Sequence, residues 1–207
     1  MSVVTGGADT FSAAAQAASS GAWDGEVQRV LVPMMGAEAL ICYRLDEGEH
    51  GRRRQAGAGA IASTDVLLEL LLSLPISESV PVASLTCRER AALSRASRGV
   101  LSVWDGQVTR HAMAPVTVEL ALVAARNWRA GLEAAGRFAP FCARAMVLRH
   151  RPADLAEVQL QAGFYGVGVI VVDERSTELL VEPEPFQRFG FTAAGWRFLE
   201  EVYRLAR

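Results

Sequence analysis

Residues 115–149, PVTVELALVAARNWRAGLEAAGRFAPFCARAMVLR, contain the pattern that decides the fold class. The first segment, Pro115–Val123, is apolar at most positions, which is typical of a strand buried on both faces. Asn127 can cap the helix that follows, and a second apolar strand comes after that helix. From residue 115 onward strands thus alternate with helices, and that order implies a partly parallel sheet covered by helices.

The rest of the chain extends this α/β pattern in both directions. Downstream, residues 153–166 predict a helix, VGVIVVD and ELLVEP predict strands, and residues 191–207 predict an amphipathic helix. Upstream, the three- and four-residue spacing of Trp23, Val27, Val30, Leu31 and Met34 predicts a helix ending near Gly36, and Ala39–Leu45 predicts a strand. The charged and glycine-rich residues 46–59 read as a loop, and residues 1–22 as a flexible leader or a frayed helix.

Residues 64–112 have the element order of a winged helix. A helix begins after Ser63 or Thr64 and stops at Pro75. A second helix starts at Thr86, where Glu89 completes a capping box, and Gly99 is placed to close it. Asp105-Gly106 lies between two β-prone runs, as in a tight hairpin. Helix, turn, helix and hairpin would supply a recognition helix and a wing.

The charge of this segment favours DNA as its partner. Residues 86–111 have a net charge of +3, whereas the whole chain has a net charge of −2. The candidate DNA-binding residues are Arg88, Arg90, Arg95, Arg98 and Arg110. Such a patch neutralises phosphates. The alternatives are a solvated helix face and a surface that docks a protein partner.

The composition excludes several kinds of chemistry. All 21 basic residues are arginine, so neither a Schiff-base lysine nor a phosphate-loop lysine exists in this chain. Cys42, Cys87 and Cys142 are too far apart for a close-spaced metal site, and we expect buried thiols.

No apolar run is long enough for a membrane helix and no signal peptide is apparent, so we expect a cytoplasmic protein without a membrane partner.

Residues 115–183 resemble prokaryotic proteins in which a winged helix is joined to a restriction-endonuclease-like PD-(D/E)XK domain. The matching positions are Val116, Val118, Glu119, Leu120 and Leu122; then Trp128, Leu132, Ala135, Phe138 and Phe141; then residues 146–148 and 164–172. The resemblance implies a mixed restriction-endonuclease-like sheet flanked by helices, built from residues 23–63 and 113–207. The winged helix would be an insertion at residues 64–112.

The same resemblance implies that the nuclease chemistry is lost. In active members an aspartate and the glutamate of E-x-K bind Mg²⁺, and the lysine orients water. Glu119 stands at the glutamate position, but Ala121 replaces the lysine. Asp65 best matches the first aspartate, with Asp105 as the other candidate. The family's glutamine and tyrosine positions hold Ala134 and Phe138.

These observations predict a non-catalytic DNA-binding protein, a pseudo-nuclease acting as a regulator or an accessory factor in DNA repair or defence. No metal or other cofactor is expected. One alternative is a nuclease that binds Mg²⁺ through Asp65 and Glu119 with an atypical third residue. Another is a subunit whose winged helix docks a protein.

The C-terminal helix raises the question of a homodimer. Its apolar stripe can cover the chain's own core or a second copy. The residues of the stripe are Trp196, Leu199, Val202, Tyr203 and Leu205.

Overall fold

A computed structural model of the chain describes residues 5–18, 26–61 and 65–207. The helices are α1 (Thr5–Ala18), α2 (Glu47–Gln55), α3 (Asp65–Ser73), α4 (Cys87–Leu93), α5 (Trp128–Gly136), α6 (Leu155–Phe164) and α7 (Ala193–Leu205). The strands are β1 (Gln28–Met34), β2 (Ala37–Leu45), β3 (Ser79–Pro81), β4 (Leu101–Trp104), β5 (Gln107–Arg110), β6 (Val116–Ala125), β7 (Ala143–Leu148), β8 (Val167–Val172) and β9 (Thr177–Val181). The predicted mixed α/β class is confirmed.

The chain divides into two compact units. The first contains Met1–Arg44 and Val118–Gln187, and the second contains Leu45–Thr117 and Arg188–Arg207. The predicted insertion at residues 64–112 lies within the second unit, which also takes in residues 45–61 and the C-terminal helix. No helix of the described residues has the length and apolar character needed to cross a bilayer.

The first unit is built on a six-stranded sheet in the order β1-β2-β6-β7-β8-β9. Strands β6, β7 and β8 run parallel, while β1 pairs with β2 and β8 with β9 in antiparallel fashion. The partly parallel sheet predicted from residue 115 onward is therefore confirmed. Asn127 caps α5 as expected, because its side chain accepts a hydrogen bond from the Ala130 amide at 3.0 Å.

The helix predicted to end near Gly36 is wrong, because residues 28–34 form strand β1. Val32 and Met34 are buried while Leu31, next to Val32, is exposed, so the burial alternates as in a strand. Met35 and Gly36 both have positive φ, which closes a tight hairpin onto β2. A short apolar run fits both the helical period and the two-residue period of a strand. The pairing of residues 28–34 with β2 decides in favour of the strand. Trp23 lies outside the described residues.

Within the segment expected to be a flexible leader, residues 5–18 form helix α1. Phe11, Ala14 and Ala15 are buried against Leu120 and Ile170 of the sheet, as one apolar cluster. The spacing of three and four residues places Phe11, Ala14 and Ala15 on one helix face. The small alanines allow the helix to approach the strands closely.

The second unit contains a three-stranded antiparallel sheet in the order β3-β5-β4. The hairpin predicted at Asp105-Gly106 joins β4 to β5, and both turn residues have positive φ. The capping box of Thr86 and Glu89 is also confirmed, but α4 ends at Leu93, well before Gly99. The caps predicted at Ser63 and Thr64 lie outside the described residues.

The C-terminal helix α7 contributes its apolar stripe to the core of the second unit. Trp196, Leu199, Val202 and Tyr203 are buried, and Trp196 belongs to the cluster formed with α3 and the small sheet. The stripe is thus used within the chain and gives no support to a homodimer.

The loop predicted at residues 46–59 is wrong, because most of it is helix α2. The Asp46 side chain accepts a hydrogen bond from the Glu49 amide at 2.8 Å and so caps the helix. The arginine run of this helix, residues 52–54, is partly internal, since Arg53 is 1% exposed. The charged composition therefore predicts a loop, whereas these residues form a helix that packs through a buried cluster of ion pairs.

Arg53 is the centre of that cluster. Its Nε donates to Glu49 Oε1 at 2.5 Å, and its two terminal nitrogens donate to the carboxylate of Glu200 on α7 at 2.7 and 2.8 Å. Glu200 also accepts from the Ile61 amide at 2.8 Å and from Trp196 Nε1 at 2.9 Å. The guanidinium further donates to the Met113 carbonyl at 2.8 Å. One side chain thus connects α2, α7 and the residues that precede β6.

We predict that Arg53→Ala destabilises the second unit by about 3–5 kcal/mol, because it leaves Glu200 buried without its cation and leaves Glu49 with the contact to Arg52. The neighbouring exposed Arg54 supplies the control, and Arg54→Ala should change stability by less than about 0.5 kcal/mol. Urea unfolding followed by circular dichroism measures both. A loss below about 1 kcal/mol in Arg53→Ala would contradict the role given to the cluster.

The stability of the second unit should also depend on pH through Glu49. Burial alone would raise the pKa of Glu49, but the hydrogen bonds and charges of Arg52 and Arg53 outweigh it and hold the pKa below its ordinary value of 4.5. Because the pKa is lowered on folding, this contribution is complete above pH 4.5 and is lost as pH falls below it. Urea midpoints between about pH 3 and pH 7 should therefore fall less steeply toward acid in Glu49→Gln than in the wild type. Equal slopes would contradict this prediction.

Candidate functional site

Glu119, the residue that matches the nuclease glutamate, already has a cationic partner. It lies on β6, and its Oε1 accepts from Arg44 Nε on the adjacent strand β2 at 2.7 Å. A second guanidinium nitrogen of Arg44 is 2.5 Å from the same oxygen. Such a charge-assisted contact neutralises the carboxylate within the sheet. Arg44 is 75 positions from Glu119, so nothing in the local sequence indicates this pair.

The other family positions on this side of the sheet offer no polar chemistry. Ala121 follows Glu119 by two residues and therefore shares its face of β6. Both Ala121 and Phe138 are fully buried, and Ala134 is half-buried. Nearby, α5 approaches β7 so closely that a side-chain carbon on Gly131 would stand 2.8 Å from Met146 Sδ. Apolar side chains fill the space that the lysine of the E-x-K motif and its water would occupy.

Asp65, the match for the first aspartate, is the first residue of α3 in the second unit. Its Oδ1 accepts from Arg197 at 2.7 Å. Asp65 and Glu119 thus belong to different units, and each is paired with an arginine of its own unit. Asp105 occupies the hairpin turn. Across residues 5–18, 26–61 and 65–207, no three His, Cys, Asp or Glu side chains group as metal ligands would.

We predict that the purified protein does not cleave DNA with Mg²⁺ or Mn²⁺. Ala121→Lys alone should not create activity, because Arg44 is paired with Glu119 and the Ala134 position remains apolar. Cleavage of supercoiled plasmid and of labelled oligonucleotides measures this. Reproducible cleavage that disappears in Glu119→Ala would show that the site is catalytic.

The predicted DNA-binding arginines do not share one environment. Arg88 on α4 is exposed and lies 4.0 Å from Glu69, while Arg95 and Arg98 are exposed between α4 and β4. Arg90 is tied to the residues just before α4, since it donates to the Leu85 carbonyl at 2.5 Å. We call residues 86–104, with their four arginines and one acidic residue, the basic segment.

Arg110 was placed wrongly on the DNA face, because it is a core residue of the second unit. Its Nε donates to the Ala112 carbonyl at 2.9 Å, and a terminal nitrogen donates to the carbonyls of Leu71 and Leu74. The guanidinium carbon lies 4.7 Å from the ring centroid of Trp196. Burial lowers the pKa of Arg110, and the Glu49 charge partly offsets this. Arg110 therefore binds the carbonyl groups at the end of α3 and is not free to contact a ligand.

Trp104 is a candidate functional residue that sequence reasoning missed. It is the last residue of β4, immediately before the hairpin turn, and its side chain is 83% exposed. Val103 beside it is 53% exposed. A tryptophan next to an Asp-Gly turn was the available signal, because the tip of a hairpin has little core to cover it. An exposed indole close in sequence to several arginines suits stacking on bases beside phosphate contacts.

Comparison with known proteins found no match for this chain. No protein-family model matches the chain, and neither does any curated protein or solved structure. Its function has therefore to be inferred from the charges and contacts described above.

Proposed function

We propose that this protein is a non-catalytic DNA-binding protein whose second unit contacts the nucleic acid. The observation that carries the proposal is the basic segment, in which exposed Arg88, Arg95 and Arg98 lead into the exposed Trp104. Guanidinium groups bind phosphates, and an accessible indole stacks on bases. The role would be that of a regulator or an accessory factor.

The arrangement of elements supports a winged-helix interpretation of this unit. The order α3-β3-α4-β4-β5, with the small sheet ordered β3-β5-β4, places a hairpin after a helix as a wing requires. Helix α4 has only seven residues, about two turns, and ends before the segment that was expected to form its second half. So short a helix presents few side chains to base edges, which favours contact with phosphates over sequence reading.

The distribution of charge between the units points the same way. The second unit contains 12 arginines and 10 acidic residues, whereas the first contains 9 arginines and 13 acidic residues. Cationic surface thus concentrates in the unit that carries the basic segment. A polyanion would be attracted to the second unit and repelled by the first.

The proposal predicts that the triple variant Arg88→Ala, Arg95→Ala, Arg98→Ala binds duplex DNA more weakly. The log-log dependence of its affinity on salt should flatten by about one unit for each phosphate that an arginine no longer neutralises. Fluorescence anisotropy at several salt concentrations measures both quantities. The matched control removes three paired arginines of the first unit, as Arg129→Ala, Arg137→Ala, Arg151→Ala. Equally weakened binding in the two triple variants would contradict a specific surface.

Trp104 supplies an independent prediction. Trp104→Ala should weaken binding to single-stranded DNA by about 1–3 kcal/mol because the stacking surface is removed, and Trp104→Phe should retain most of the affinity. The same titration measures this, with circular dichroism to confirm that the hairpin variants remain folded. Unchanged affinity in both the arginine triple variant and Trp104→Ala would favour a protein-docking surface.

A further inference from the structure

The first unit has a cleft where its parallel strands end. Because β6, β7 and β8 run in the same direction, their carboxyl ends lie at one edge of the sheet. Ligands of α/β proteins bind preferentially outside the carboxyl ends of such strands. The cleft has a volume of about 550 Å³, which suits a small organic molecule. None of the residues considered above for DNA binding or metal binding lies in it.

Two arginines stand side by side at this edge. Ala125 and Leu148, the last residues of β6 and β7, are register partners. Arg126 and Arg149 follow them directly, so the two side chains leave neighbouring strands that are about 4.8 Å apart. Both arginines are exposed and line the cleft.

These two guanidinium groups have no carboxylate partner among the described residues. In the part of the chain that the structure describes, neither Arg126 nor Arg149 forms an ion pair, whereas Arg129, Arg137 and Arg151 of the same unit each contact a carboxylate. Like charges this close on adjacent strands destabilise a sheet. A bound anion would remove that repulsion.

The remaining walls of the cleft indicate what kind of anion fits. Ala124 and Ala125 at the end of β6 provide accessible apolar surface, and His150 provides a further polar group. Among the described side chains that line this cleft Glu38 is the one acidic residue, so the described lining carries a net positive charge from the two arginines. An adjoining space of similar volume continues past His150, where Asp173, Glu174 and Arg175 line it. A ligand with an anionic head and an organic body matches these walls.

We infer that the strand-end cleft binds a phosphorylated small molecule of nucleotide size. The phosphoryl group lies between Arg126 and Arg149, whose planar guanidinium groups donate in pairs to its oxygens. The organic part lies against Ala124 and Ala125. This site is separate from the basic segment and goes beyond the proposed binding of DNA.

The test is isothermal titration calorimetry of the full chain with AMP, pyrophosphate and adenosine. AMP and pyrophosphate should bind, and adenosine, which lacks the phosphoryl group, should bind at least about tenfold more weakly than AMP. Arg126→Ala and Arg149→Ala should each lower the affinity for AMP by about tenfold or more, because each removes charge-assisted hydrogen bonds. Arg151→Ala is the matched control, since it removes an arginine two positions from Arg149 that is paired with Glu178, and it should keep the wild-type affinity.

Absence of binding by both AMP and pyrophosphate at millimolar concentration would overturn the inference, as would an equally reduced affinity in Arg151→Ala. Adenosine binding as tightly as AMP would overturn the role of the arginines. The triple variant of the basic segment should bind AMP like the wild type. The proposal for the cleft and the proposal for the DNA surface can therefore be rejected independently of each other.

Discussion

The second unit depends on one buried guanidinium, that of Arg53. Two carboxylates, Glu49 and Glu200, are taken out of water beside it, and neither could be buried alone without a cost of several kcal/mol. Glu200 in turn accepts the Ile61 amide and the Trp196 indole. The position of α7 in this unit is thus fixed by charge pairing as well as by its apolar stripe. Residues 147 positions apart in sequence must meet for the cluster to close.

A chain without lysine uses arginine as a structural connector. Arg53 satisfies two carboxylates and two carbonyls, and Arg110 satisfies carbonyls at the end of α3 while its guanidinium lies over Trp196. A planar guanidinium has five donors in a fixed geometry, and an ammonium group cannot span the same set of acceptors. Other arginines form surface ion pairs, as Arg129 does with Glu157. Binding is proposed from exposed arginines, namely Arg88, Arg95 and Arg98 in the basic segment and Arg126 and Arg149 at the cleft.

The resemblance to restriction-endonuclease-like proteins remains a prediction, and the structure tells how its catalytic positions are occupied here. The strand carrying Glu119 is buried as predicted, yet Arg44 binds the carboxylate and Ala121 is sealed in the core. The edge of the same sheet keeps a cleft lined by two arginines without ion-pair partners among the described residues. A sheet that offers no nuclease chemistry at these positions thus still has a place where an anion could be bound.

Features whose physical cause lies within a few residues can be predicted from the sequence. The Asp105-Gly106 turn, the Thr86 capping box and the strands from residue 116 onward are set by local φ preference, side-chain caps and apolar runs. Tertiary pairing, by contrast, makes residues 28–34 a strand, since β1 exists through its pairing with β2. The tertiary structure also decided that Arg53 and Arg110 are internal and that Arg126 and Arg149 are neighbours. Charge alone reads as solvated surface, and its burial depends on partners far away in the chain.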